Sequence, residues 1–186
     1  MIRKVMVASL AMLGACATVA TAPAPGRAPD GMIALADVVT GFTVAVIDGC
    51  VAAAEAGQTL ADLNSPLIVS DSDRGFFSPL RPGFTPWAPK IAKGIVTIEE
   101  NAEMCDIATY GIPIESSFAS VASKLVERGY SIQPSAPLPE KFFETLLKKT
   151  VDGRIVTVAL NGNEPGAPGM RSRFGIALAK ITVSPR

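Results

Sequence analysis

The clearest periodicity in the chain lies between Phe118 and Val126. Phe118, Val121, Ala122, Leu125 and Val126 recur at the three- and four-residue spacing of one helix face, while Ser120, Ser123, Lys124 and Glu127 fall opposite. Pro113 and Glu115 suit the start of this helix, Lys124 and Arg128 its negative end, and Gly129 its left-handed stop. A second helical spacing links Leu35, Val38 or Val39, Phe42, Val46, Cys50 and Ala53 or Ala54 between Leu35 and Ala56. Gly41 and Gly49 each cost about 1 kcal/mol inside a helix, so a strand over Phe42 to Ile47 is the competing expectation. Asp37, Asp48 and Glu55 interrupt the apolar wall and argue against a membrane span here.

Strand patterns occupy most of the remainder. Ile95 to Ile98 and Met104 to Tyr110 predict a hairpin across Glu99 to Glu103, with Cys105, Ile107 and Thr109 facing inward. Tyr130 to Gln133 forms a short strand before Pro134. A further helix is expected from Pro139, packing Phe142, Phe143, Leu146 and Leu147 inward and ending at Lys148 and Lys149. Asp152-Gly153 is a turn, and Ile155 to Leu160 and Phe174 to Val183 are strands; residues 161–173 form a Gly/Pro-rich loop. Gln58 to Lys90, broken by Pro66, Pro79, Pro82, Pro86 and Pro89, is expected to be irregular. The order α-β-β-α-β-α-β-β predicts an α+β fold of two layers, a mostly antiparallel sheet packed against two or three helices.

The N-terminus follows a different pattern. Arg3 and Lys4 precede an apolar run from Val5 to Leu13, closed by small residues, which is the arrangement of an export leader. The run is too short for a bilayer's hydrocarbon core, which takes about 20 helical residues. Leu13-Gly14-Ala15-Cys16 resembles the lipobox of bacterial lipoproteins. That resemblance implies acylation of Cys16, membrane attachment through it and, with Ala17 rather than aspartate following, the outer membrane. Ordinary cleavage after Ala15-Cys16-Ala17 is the alternative, and would release the chain into the periplasm. The expected organisation is a leader over 1–17, an Ala/Pro/Gly-rich tether over 18–31 and one domain over 32–186.

Composition narrows the function classes. The 186 residues hold 17 basic and 17 acidic groups, and removal of Arg3 and Lys4 with the leader leaves 15 basic against 17 acidic. No basic concentration exists to neutralise many phosphates together, so nucleic acid is not an expected partner. The chain contains no histidine, which excludes Ser-His-Asp and Cys-His catalysis and histidine-dependent zinc sites. No cofactor or metal is expected.

Outside the leader, Cys50 and Cys105 remain, and an oxidising compartment makes a disulfide between them the expectation; two separately buried thiols are the alternative. Ser70-Asp71-Ser72-Asp73-Arg74-Gly75 begins like a calcium loop but lacks the later ligands, so it reads as a polar turn. Glu99, Glu100 and Glu103 could supply an acid and a base for glycoside cleavage, but their place at a hairpin turn favours simple solvation. The candidate binding loop carries Asp71, Asp73 and Arg74 with the aromatics Phe76, Phe77, Phe84 and Trp87. Together these features predict a non-catalytic binding or structural module of the cell envelope, with an envelope protein or the cell wall as partner. A histidine-independent hydrolase using carboxylates is the alternative.

Overall fold

A computed structural model describes residues 33–72, 81–170 and 173–185. The sequence-expected leader, tether and Cys16 lie outside these residues. The fold is α+β. Among the described residues eight strands form one antiparallel sheet: β1 Ile68–Ser70, β2 Thr85–Pro89, β3 Thr97–Glu100, β4 Met104–Tyr110, β5 Ser131–Gln133, β6 Phe142–Val151, β7 Arg154–Asn163 and β8 Ile176–Pro185. Their spatial order is β1-β2-β3-β4-β8-β7-β6-β5. The first four strands thus run as a meander to the sheet centre, and the last four run as a meander from the far edge back to it. They meet where β4 pairs β8 over seven residues, Met104↔Thr182 to Tyr110↔Ile176.

Two helices cover one face. The first, α1, runs over Leu35–Ala56; the other, α3 (Ile114–Glu127), crosses from the central strand β4 to the far edge. A short helix α2, Leu60–Leu63, is capped by reciprocal Thr59 and Asp62 contacts. Helix α1 is long and apolar enough to cross a membrane by length and composition, yet half of its apolar window is buried by the fold. Val38, Phe42, Val46, Cys50 and Ala53 face the sheet, and the rings of Phe42 and Phe118 stack with centroids 6.1 Å apart. Burial of α1 in the core, rather than helix propensity, therefore accounts for its apolarity.

The middle of α1, Ala45–Val51, is π-helical, and all of its residues except Asp48 are buried. The wider turn spreads apolar side chains over more of the circumference than an α-helix would. Gly41 answers the propensity objection directly, because a Cβ there would overlap the Cβ of Ala92 in the 3₁₀ turn Lys90–Ala92. The helix accepts glycine to approach that turn. Cys50 and Cys105 form a disulfide between α1 and β4, with Cα atoms 5.8 Å apart.

Three expectations change at the level of whole segments, and two smaller ones change with them: Val126 is exposed rather than part of the buried face of α3, and β3 runs to Glu100, so Glu99 and Glu100 are strand residues rather than part of the turn. The segment after Pro139 is strand β6, not a helix, held by ten register pairs to β7 from Phe142↔Asn163 to Val151↔Arg154. The two-residue turn between them, Asp152-Gly153, has positive φ at both positions (48° and 75°), the conformation that matches the twist of a hairpin. The paired residues Phe142-Phe143 and Leu146-Leu147 fit helical spacing, but they equally place an apolar side chain on each face of a strand. Second, Gln58 to Lys90 is not wholly irregular, since it contains α2, β1 and β2. Two of its prolines fit because proline lacks only the N–H: Pro86 lies beyond the β1 register, where its carbonyl still accepts the Asp71 N–H at 3.1 Å, and Pro89 lies beyond the β3 register. Third, residues 161–163 belong to β7 rather than to the following loop.

Candidate functional site

The strand alternation divides the sheet into two unlike faces. On β4, Cys105, Ile107 and Thr109 are buried under the helices; on β8, Ala177, Ala179 and Ile181 are. The intervening residues project from the face that neither helix covers, where strand registers set them in rows. Tyr110, Ile176, Asn163 and Phe142 form one row. Thr97, Ala108, Leu178, Asn161 and Glu144 form the next, and Glu99, Asp106, Lys180, Ala159 and Leu146 the third. Charge is thus gathered in the third row and apolar area toward the first.

This open face holds a concavity of about 350 Å³, lined by Arg81, Thr97, Glu99, Asp106, Ile107, Ala108, Tyr110, Asn161, Leu178 and Lys180. A second hollow of about 270 Å³ adjoins it through Asn161 and Leu178 and continues over Leu138, Phe142, Ile176 and Met170. Leu178 and Tyr110 are 44% and 40% exposed and Leu138 and Met170 are 43% and 38% exposed, so a largely apolar strip is presented to solvent, with Asn161, Asn163 and Glu144 along it. Contiguous strips of this kind mark binding surfaces more often than scattered apolar residues do.

Arg81 closes one end of the first hollow. Its Nε donates to Glu99 Oε2, its Nη2 donates to Asp106 Oδ2 at 2.7 Å, and its guanidinium lies 3.9 Å from the Phe84 ring centroid. Burial disfavours the guanidinium charge, but the bonds to Asp106 and Glu99 outweigh it and hold the group above its ordinary value. Both carboxylates sit low: the Glu99 side chain is 10% exposed and that of Asp106 is 23%, against 45% for Arg81. Asp106 Oδ1 is covered and takes no hydrogen bond. The cationic surface therefore lies above the anionic one. Lys180, opposite Asp106 in register, is exposed and has no ion-pair partner among the described residues.

The three glutamates considered for catalysis are separated. Glu99 is on the open face, tied to Arg81. Glu100 points to the other side, where its Oε1 accepts the Leu60 N–H at 2.8 Å. Burial raises its carboxyl above the ordinary value; the Leu60 bond opposes that, and the Trp87 indole lies near without closing a bond of ordinary length. Glu103 is exposed in the hairpin turn, where Asn101 Oδ1 accepts the backbone N–H groups of residues 103 and 104, both at 2.9 Å.

The expected binding loop also divides. Asp71 is 2% exposed, with Lys93 Nζ 3.7 Å from its Oδ1, so it is a buried anchor at the end of β1. Phe84 supports Arg81 beside the hollow, whereas Trp87 packs against the core. Asp73, Arg74, Phe76 and Phe77 lie outside the described residues. Among the described residues no group of three or more Cys, Asp or Glu side chains gathers as a metal site.

Sequence reasoning missed Arg81, Asp106, Tyr110, Asn161, Leu178 and Lys180 as members of one surface. A signal existed in β8, where Leu178 and Lys180 share the outward parity of a strand whose inward residues are Ala177, Ala179 and Ile181. What one strand could not reveal was its alignment between β4 and β7. No protein-family model, curated protein or solved structure matches the chain.

Proposed function

We propose that the protein is an exported, lipid-anchored component of the bacterial cell envelope, a non-catalytic binding module that uses the open face of its sheet. The observation that carries the binding role is the continuous hollow from Arg81 across Leu178 to Met170. A sheet sealed by helices on one face and apolar along part of the other resembles half of a completed core. Arg81 bonds both carboxylates of the hollow at once, which leaves neither poised as a separate acid or base and disfavours the hydrolase alternative.

The export part rests on the leader sequence, with Cys16 as the acylation site and the tether carrying the domain clear of the membrane. The disulfide is consistent with an oxidising compartment.

Site-specific photocrosslinking in intact envelopes tests the binding role. A photoreactive residue at Leu178 is expected to form a discrete adduct, whereas one at Lys124, on the exposed side of α3, is expected to form none. Equal labelling at both positions, or none at either, overturns the proposal.

A further inference from the structure

We infer that the occupant of the open face is a long-chain carboxylate, one fatty acyl chain with a single negative charge. This rests on the binding role proposed above and specifies its ligand. The charge distribution selects the head group. Two carboxylates are present, but both lie beneath Arg81, which is bonded to each of them. The groups a ligand meets first are cationic: the half-exposed Arg81 guanidinium and the exposed Lys180 ammonium, on either side of Asp106. Among the described residues Arg81 offsets one of the two carboxylates and Lys180 the other, so these four charges sum to zero with the cations outermost, and one added negative charge is accommodated more easily than two. Asn161, which lines the same hollow and pairs Leu178 in register, offers a further amide donor. Glu144, next to Asn161 in the same row, repels a second anionic group at that end.

The rows select the tail. From Lys180 the outward positions of β8 pass to Leu178 and then Ile176, about 13 Å for four residues of strand. Ile176 opens onto Phe142, Leu138 and Met170 through the second hollow. A charged head beside Lys180 therefore leads into an apolar path long enough for a medium-length hydrocarbon chain, open at the far end to a longer one.

The test uses the full chain carrying Cys16→Ala, so that no acyl anchor competes, purified without detergent and with the disulfide intact. Calorimetric titration with dodecanoate is expected to give one site per chain. Acetate is expected not to bind, and dodecyltrimethylammonium to bind at least about ten-fold more weakly, the scale of one charge-assisted contact. Lys180→Glu is expected to weaken dodecanoate by about ten-fold or more and to leave dodecyltrimethylammonium no weaker; Lys180→Gln, which keeps the stem, provides the same readout without charge reversal. Leu178→Asp is expected to abolish binding of both amphiphiles. Equal affinity for the two head groups, or an unchanged Lys180→Glu, overturns the inference. Tighter binding of dodecyl phosphate than of dodecanoate overturns the carboxylate in favour of a phospholipid source. If Leu178 forms its adduct in envelopes while dodecanoate fails to bind, the fatty ligand falls and the binding face stands. If both fail, both proposals fall.

Discussion

Gly41 is the residue at which local preference and tertiary packing disagree most clearly. Alanine there gains about 1 kcal/mol of helix propensity, but its Cβ overlaps Ala92 in a fully buried contact; overpacking typically costs about 1–3 kcal/mol. Gly41→Ala is therefore expected to lower the urea midpoint with an unchanged slope, and an increased midpoint would show that the Lys90–Ala92 turn yields. Glu100 supplies a pH-dependent prediction. Its folded carboxyl is raised above the ordinary 4.5 by burial first, with Asp62 adding repulsion. The folded chain thus binds this proton more tightly than the unfolded chain, and stability falls as pH rises from 4.5 through the raised value. Glu100→Gln retains an oxygen for the Leu60 N–H and removes that loss. Its stability relative to the parent chain is expected to be more favourable at pH 7 than at pH 4, measured by urea unfolding at both; the opposite order would mean that the charge itself strengthens the Leu60 contact. Neither effect is legible in the sequence, since each depends on a partner 40 or more positions away.

At the level of elements, legibility followed the number of faces a segment buries. Helix α3 was readable because one face is apolar and the other polar, and Gly129 stops it with φ 88°. The β3–β4 hairpin was readable for the same reason, with Cys105, Ile107 and Thr109 all buried as expected. Strand β6 was not, because Leu147 enters the core while Phe142 and Leu146 line the uncovered face. The feature that disguised β6 as a helix is thus the apolarity of the candidate site itself. The disulfide joins the two most legible parts, α1 and β4, across 55 residues of chain. Restricting a loop of that length in the unfolded state contributes about 4 kcal/mol in the entropy model. Replacing both Cys50 and Cys105 by alanine is expected to cost about 2–5 kcal/mol in chemical unfolding, with far-UV dichroism unchanged at zero denaturant. A cost below about 1 kcal/mol would mean that packing of the π-helical segment against the sheet holds α1 without the covalent link.

Across the whole molecule, the two faces of the sheet and the three cysteines divide the work. The helix-covered face contains the core and its covalent staple; the face that neither helix covers keeps a charged row beside an apolar one. Such a face gains from being held near a membrane, where amphiphiles are concentrated, and the proposed anchor at Cys16 provides that proximity through the tether. The fold class was readable from the mix of helices and strands, but the site was not: its first hollow alone draws on five separate segments, brought together by the β4–β8 pairing of chain regions some 70 residues apart. The anchor, by contrast, is local in sequence and has a decisive measurement. Intact mass analysis of the mature chain from a bacterial host is expected to show a protein beginning at acylated Cys16, and reduction to add about 2 Da for its one disulfide. A hydrophilic, unmodified chain beginning beyond Cys16 would place the binding face free in the periplasm. In that case a soluble carrier of the same ligand replaces a tethered one, because the open face requires the hollow and Lys180 rather than the anchor.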